Sequence, residues 1–205
     1  MHKLIVAIVL LFNVIASLAS AADIPRNEAI YVTMQDGVRI AIDVWLPASL
    51  VEGEKIPTLM HSTRYWRALD GVKDGIENDS RYADAVAVNG RGYALVLVDA
   101  RGSGASFGNR PYEMNGEEAR DYGEVVDWII KQPWSNERVG AYGVSYAGNT
   151  AEMLAVNQHP AVKAIAPLFN DFDNFGHLIF PGSILTIGFL EKWGNRVYAM
   201  DKNDI

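Results

Sequence analysis

The residues best suited to chemistry lie in the segment 143–148, which reads Gly-Val-Ser-Tyr-Ala-Gly. In the pattern Gly-x-Ser-x-Gly, a serine nucleophile stands on a sharp strand-to-helix turn, and its small neighbours let a strained backbone expose the hydroxyl. Gly143 and Ser145 fit this pattern, but the second glycine, Gly148, comes one place late. The amides and dipole of the following helix would favour a developing oxyanion. Ser145 is therefore predicted to be an acyl-transfer nucleophile; the alternative is a structural glycine-rich turn capped by a serine.

A serine nucleophile needs a histidine base and an orienting carboxylate, and on this kind of turn both follow the serine along the chain. Only His159 and His177 follow Ser145. His159 lies in a predicted helix-to-strand turn and is expected at the surface, and His177 comes too soon after the last clear strand. His61 precedes the serine and is expected at a strand end near the site. The sequence therefore predicts a nucleophile without an identifiable triad base.

A second glycine-rich segment raises the alternative of a dinucleotide site. Gly102 and Gly104 follow an apolar strand, as in the phosphate-binding fingerprint Gly-x-Gly-x-x-Gly. The third glycine, Gly108, is one place too far, no helix begins there, and no Walker lysine follows. This segment is interpreted as a tight turn near the rim of the site.

The elements that must position Ser145 follow from the hydrophobic pattern. Residues 38–46 alternate apolar and polar side chains after an Asp36-Gly37 turn, which predicts a hairpin with residues 28–34. Further strands are expected at 56–60, 93–98, 138–143 and 162–167, and helices at 80–88, 117–131, 149–158 and 183–200. Segment 170–177 is expected to be a loop. Alternating strands and helices predict a three-layer α/β domain with a mostly parallel sheet and an N-terminal antiparallel hairpin.

Composition narrows the functional class and predicts the compartment. The net charge of −7 over 205 residues argues against a nucleic-acid partner. Residues 1–22 combine a short basic start, an apolar run and a small-residue site at Ala19-Ser20-Ala21, which predicts a signal peptide; the alternative is a membrane anchor. We expect a secreted or periplasmic protein with no stable membrane anchor after cleavage. The absence of cysteine excludes disulfides within the chain.

Several segments together resemble the cocaine esterase and X-prolyl dipeptidyl-peptidase family of serine hydrolases. The resemblance rests on residues 143–148, on 99–106 (Asp-Ala-Arg-Gly-Ser-Gly-Ala-Ser) and on 132–140 (Gln-Pro-Trp-Ser-Asn-Glu-Arg-Val-Gly), with support from 34–41 and 163–167. It implies an α/β-hydrolase fold, with residues 23–170 as its N-terminal part and 171–205 as the start of a helical cap. It also implies a C-terminal jelly-roll domain, and it places the triad acid and base beyond Ile205. The C-terminal part of the fold is accordingly expected to be missing.

The resemblance also implies an oxyanion hole. The loop 61–70 contains no glycine, unlike the glycine-rich loop that supplies this donor in lipases. In the family a tyrosine hydroxyl takes its place, and Tyr65 stands at the matching position, with the backbone amide of Tyr146 as the second donor. The alternative for Tyr65 is a packing aromatic next to Trp66. No cofactor and no metal ion are implied.

The sequence thus predicts a serine hydrolase that cleaves small-molecule esters or amides and peptides through an acyl-enzyme. The apolar start of the cap suggests a hydrophobic acyl or leaving group. Asp171 and Asp173 stand near the place where one branch of the family binds an α-amine, but the apolar residues after them disfavour that branch. The alternative is an inactive truncated fragment or binding remnant that lacks the triad acid and base.

Overall fold

The computed structural model describes residues 26–67, 80–202 and 204. The predicted signal peptide and residues 68–70 of the Tyr65 loop lie outside the described residues. Within the described part of the chain, no helix has the length and apolar character needed to cross a membrane.

A six-stranded sheet forms the centre of the described structure, in the order β1-β2-β4-β3-β5-β6. The strands are β1 (Arg26–Thr33), β2 (Arg39–Leu46), β3 (Ile56–Thr63), β4 (Ala94–Asp99), β5 (Ser135–Val144) and β6 (Val162–Leu168). β1 and β2 pair antiparallel, as do β2 and β4, whereas β3, β4, β5 and β6 are joined by parallel pairings. The predicted parallel sheet with an antiparallel N-terminal hairpin is confirmed.

The hairpin has the turn that its sequence demands. Gly37 adopts φ +84°, a left-handed conformation that glycine reaches without steric cost. The amide of Met34 donates to the carbonyl of Val38 at 2.8 Å, and the Asp36 carboxylate accepts from the Val38 amide at 3.0 Å. These bonds set the register in which Val32 opposes Ile40.

Helices cover both faces of the sheet and enclose two hydrophobic clusters. The described helices are α1 (Ser80–Asn89), α2 (Gly116–Ile129), α3 (Tyr146–Val156) and α4 (Ile187–Asp201). All six residues of β4 are buried: Val96 and Val98 join the cluster under α2 and α3, while Leu95 and Leu97 join the cluster under α1. A strand buried on both faces explains the continuous apolar run at this position.

Several predicted boundaries differ from the structure. The helix expected at 183–200 begins at Ile187, and the strand expected at 138–143 begins at Ser135. The helix expected at 149–158 begins at Tyr146, directly after Ser145, because the chain turns from strand to helix without a linker. The segment expected to be a loop at 170–177 contains a π-helical turn, Asn174–Ile179, begun by Asp173, whose carboxylate accepts from the Phe175 amide. The carboxyl ends of the parallel strands nevertheless meet at one edge, and Ser145 and Tyr65 follow two of them.

Candidate active site

Ser145 occupies a strained turn between β5 and α3. Its backbone has φ 60° and ψ −127°, a region that costs a non-glycine residue on the order of 1–3 kcal/mol. The Ser145 amide donates to the carbonyl of Leu168 at 2.9 Å, and the Ser145 carbonyl accepts from the Asn149 amide at 3.0 Å. The residue is exposed although its helix is largely buried. The turn therefore presents the serine hydroxyl at the carboxyl edge of the sheet.

Both glycines of the segment are required by close packing. A methyl group on Gly143 would overlap the backbone of Ala147 in the first turn of α3. A methyl group on Gly148 would lie 2.6 Å from the carbonyl oxygen of Leu168 and 3.1 Å from the Cβ of Asn170. The late glycine is thus the third residue of α3, where the helix passes closest to the end of β6.

Tyr65 lies two residues after the end of β3. Its hydroxyl oxygen accepts a hydrogen bond from the indole Nε1 of Trp193 at 2.9 Å, and its ring meets that of Tyr146 edge-on at 5.8 Å. The next residue, Trp66, has φ +65°, so the chain turns sharply just after the tyrosine. This turn keeps Tyr65 half-buried at the site.

Ser145, Tyr65 and Tyr146 line one cavity of about 430 Å³. Most of its remaining wall is apolar and is supplied by Met114, Phe169, Leu178, Ile179, Phe189 and Leu190. Asn149 and Asn170 also line the cavity, and their side-chain amides donate to the Asp171 carbonyl and the Glu152 carboxylate respectively. The cavity is of the size and character that suits a small, largely apolar ligand.

The geometry provides two donors near the serine. Tyr146 is the first residue of α3, and the first amides of a helix have no partner within the helix. No acceptor among the described residues bonds to the Tyr146 amide. Tyr65 lines the same cavity. A backbone N–H and a phenolic O–H are the kinds of donor that stabilise an oxyanion, and both belong to residues of this cavity.

A buried carboxylate that the sequence did not single out as functional holds Tyr146. One oxygen of Glu118 accepts from the hydroxyls of Tyr122 at 2.5 Å and Tyr146 at 2.7 Å, and the other accepts from the Met114 amide at 3.1 Å. Burial, followed by the charge of Glu118, raises the pKa of both tyrosines well above the ordinary value. The spacing of Glu118 and Tyr122, one helical turn apart, was the signal in the sequence for this pair.

The glycine-rich segment after β4 supports the Tyr65 loop. The buried carboxylate of Asp99 accepts from the amide of Arg67 at 2.6 Å and from the amide of Ala105 at 2.9 Å, and burial raises its pKa. Gly104 has φ +55° and packs so closely on this carboxylate that a side chain would overlap it. The segment is a tight turn held by the hydrogen bonds of Asp99, and the next helix begins only at Gly116.

None of the three described histidines lines the cavity. His61 belongs to β3, where its Nδ1 lies 3.2 Å from the Tyr142 carbonyl and burial lowers its pKa. His177 is exposed on the π-helical turn. His159 precedes β6, so the seven residues of that strand, roughly 20 Å, separate it from the level of Ser145. His159 was expected at the surface; its side chain is 13% exposed and pairs with the half-exposed Asp127 at 3.1 Å.

Residues 36–204 match the model of a protein family described as X-Pro dipeptidyl-peptidase (S15 family). This chain belongs to that family. A protein of Mycobacterium tuberculosis named "Putative serine esterase MT1883" is 47% identical over 189 residues, which covers 87% of this chain and 30% of that protein. Cocaine esterase of Rhodococcus sp. is 30% identical, covering 80% of this chain and 27% of the esterase.

The solved structures agree with the family assignment. A CocE/NonD family hydrolase from Staphylococcus aureus superimposes with a TM-score of 0.75 at 27% identity, covering 88% of this chain and 34% of that one. The predicted α/β-hydrolase fold and the predicted family are therefore confirmed. The chain spans about 30% of the length of the mycobacterial relative that it matches.

Proposed function

We propose that this chain carries the nucleophile and the oxyanion hole of a serine hydrolase that cleaves esters, or amides and peptides, through an acyl-enzyme. The observation that carries the proposal is the exposed Ser145 on its strained turn, which lines the same cavity as Tyr65. Named members of the family are esterases and peptidases, which supports this reaction class. Export is proposed as well, on the signal-like sequence of residues 1–22.

In this mechanism, the Ser145 Oγ attacks the substrate carbonyl and its proton passes to a base. The carbonyl oxygen becomes an oxyanion that accepts from the Tyr146 amide and the Tyr65 hydroxyl. Collapse of the intermediate expels the alcohol or amine, and water then releases the acyl group from the serine. Because no described histidine lines the cavity, the proposal requires a base from outside the described residues. The apolar wall favours a hydrophobic acyl or leaving group.

A second candidate is a protein that binds such ligands without turning them over, and the lack of a described histidine in the cavity favours it. A fluorophosphonate probe separates the two, applied to the natural gene product at its full length. The hydrolase predicts fast labelling that Ser145→Ala abolishes. Ser183→Ala is the matched control, because Ser183 is exposed but does not line the cavity, and labelling should persist. Absence of labelling would favour the binding protein.

The oxyanion assignment is tested by Tyr65→Phe, which deletes only the hydroxyl. Loss of one oxyanion donor typically lowers kcat by about 10²–10³-fold. We expect a fall of this size with a melting temperature within a few degrees of the wild type, because the hydroxyl also accepts the hydrogen bond of Trp193. Turnover close to that of the wild type would refute the role of Tyr65.

A further inference from the structure

The hydrogen bond between Trp193 and Tyr65 has only one possible direction. An indole N–H donates and cannot accept, so the Tyr65 oxygen must be the acceptor across the 2.9 Å contact. The phenolic proton therefore remains available, and no acceptor among the described residues takes it. Both side chains line the cavity that contains Ser145. The Tyr65 hydroxyl is thus held as a donor with its proton unused.

The residue before Tyr65 holds the same helix that carries Trp193. The side chain of Arg64 is fully buried and donates to the Val197 carbonyl at 3.2 Å and to the Asp201 carboxylate at 2.7 Å. Trp193 and Asp201 are eight residues apart, about 12 Å along α4. Arg64 and Tyr65, which are consecutive, therefore bond to α4 at two points along its length. This fixes both the position and the rotation of the helix against the Tyr65 loop.

Other charged groups near this hydrogen bond stabilise the contact of α4 with the loops that carry Arg64 and Arg110. The guanidinium of Arg64 lies 5.7 Å from the centre of the Trp193 ring and forms an ion pair with Glu113. Arg110 joins the same group through Glu113 at 3.1 Å and Asp201 at 3.4 Å. The Trp193 indole is therefore held both by the Arg64 guanidinium near its ring and by the hydrogen bond from its N–H to Tyr65.

We infer that Trp193 is a positioning residue for the oxyanion hole: its N–H occupies a lone pair of the Tyr65 oxygen and leaves the phenolic proton for the substrate oxyanion. The inference rests on the proposed function. A hydroxyl that accepts one hydrogen bond is a stronger donor in the next, because chains of hydrogen bonds polarise one another. Without the indole, the Tyr65 hydroxyl rotates freely and exchanges its bond with water. Helix α4 thereby influences the chemical step through one bond, in addition to shaping the cavity.

The competing explanation is that Trp193 only lines the substrate cavity. To separate the two, the indole N–H must be deleted with little change of shape. Trp193→Phe keeps an aromatic ring, and incorporation of β-(3-benzothienyl)alanine replaces the N–H by sulfur at nearly constant volume. Each is measured in the full-length gene product with p-nitrophenyl acetate, alone and combined with Tyr65→Phe, and kcat and KM are determined separately.

We expect both Trp193 replacements to lower kcat roughly 5–10-fold, the effect of one hydrogen bond. The benzothienyl analogue should leave KM unchanged, whereas Trp193→Phe shortens a side chain that lines the cavity and should also change KM. In the Tyr65→Phe background the same replacements should have no further effect on kcat, since the hydroxyl that they orient is absent. Leu178→Ala is the matched control: Leu178 lines the cavity from the π-helical turn and not from α4, so its replacement should change KM, and this effect should add fully to that of Tyr65→Phe.

The outcomes distinguish this inference from the proposed function. Suppose that Tyr65→Phe lowers kcat. If the Trp193 replacements then leave kcat unchanged, or if their effect on kcat adds fully to that of Tyr65→Phe, the inference is overturned and the oxyanion role of Tyr65 stands. If Tyr65→Phe has no effect, or the full-length product shows no turnover, the proposed function fails and the inference fails with it. Melting temperatures of all variants within a few degrees of the wild type exclude misfolding as the cause of a lower kcat.

Discussion

Replacing Gly148 by alanine inserts a methyl group between α3 and the end of β6. The new Cβ would lie 2.6 Å from the Leu168 carbonyl oxygen, 3.1 Å from the Asn170 Cβ and 3.2 Å from the Gly143 carbonyl oxygen. Two of these three neighbours are backbone atoms, which cannot swing away as the end of a side chain can. The helix and the strand must therefore separate by several tenths of an ångström.

Three effects compete in this substitution, and their sizes decide its sign. Alanine in place of glycine within a helix contributes about 1 kcal/mol of stability. Overpacking against fixed atoms costs about 1–3 kcal/mol. The Leu168 carbonyl also accepts from the Ser145 amide at 2.9 Å, and displacing it weakens a bond whose net contribution is about 1 kcal/mol. We therefore expect Gly148→Ala to lower the free energy of unfolding by about 1–3 kcal/mol.

The assay is chemical denaturation together with the rate of fluorophosphonate labelling, because displacement of Leu168 also disturbs the turn that exposes Ser145. Gly194→Ala is the matched control. Gly194 lies within α4, a Cβ there would meet nothing within 4 Å, and the substitution should stabilise by about 0.5–1 kcal/mol. The reasoning is refuted if Gly148→Ala is as stable as the wild type and labels at the same rate.

Two further predictions concern buried titratable groups. Glu118→Gln places an amide N–H₂ toward the Met114 amide or the Tyr146 hydroxyl, both of which donate to Glu118, so the free energy of unfolding should fall by about 2–3 kcal/mol. The control is Glu117→Gln at an exposed position, which should change that free energy by under about 1 kcal/mol. Equal effects of the two substitutions would contradict the buried network. Because burial lowers the pKa of His61, the unfolded chain takes up a proton more readily, so stability falls as pH drops through about 6.5. Denaturation should be measured between pH 7.5 and 5.5. The free energy of unfolding of His61→Gln should fall less with pH than that of the wild type, the difference being at most about 1.4 kcal/mol per pH unit. Identical dependence on pH in the two proteins would exclude His61 as the cause.

Local signals were sufficient for the sheet and for the nucleophile turn. Alternation in β2, the continuous apolar run in β4 and the turn at Gly37 each reflect interactions within a few residues, so the fold class could be predicted from them. The position of the second glycine was visible, but its reason was not. Gly148 is required by Leu168, twenty residues later, and such a contact exists only after β6 has paired with β5.

The proposed oxyanion hole depends on still longer-range contacts. Tyr65 was identified through a resemblance, and nothing in the residues around it indicates that Trp193 would bond to its hydroxyl. The same holds for Arg64, which reads as a surface cation in a polar loop and is fully buried because Asp201 and the Val197 carbonyl meet it. Isolated charges are not stable in a protein interior, so the burial of an arginine could be predicted only with knowledge of its partners.

The three parts of the site are each held by a buried charged group instead of by apolar packing alone. Asp99 binds the Tyr65 loop, Glu118 binds Tyr146 at the start of α3, and Arg64 binds α4. Apolar contacts are tolerant of small shifts, whereas a hydrogen bond weakens steeply with distance and angle. An oxyanion hole requires donors held near 2.7–3.1 Å from the developing charge, a tolerance that directional bonds can maintain. Burying these charges costs stability, but their hydrogen bonds fix the donor positions as accurately as the proposed chemistry requires. Substitutions at Asp99, Glu118 or Arg64 should therefore reduce turnover even where the protein still folds.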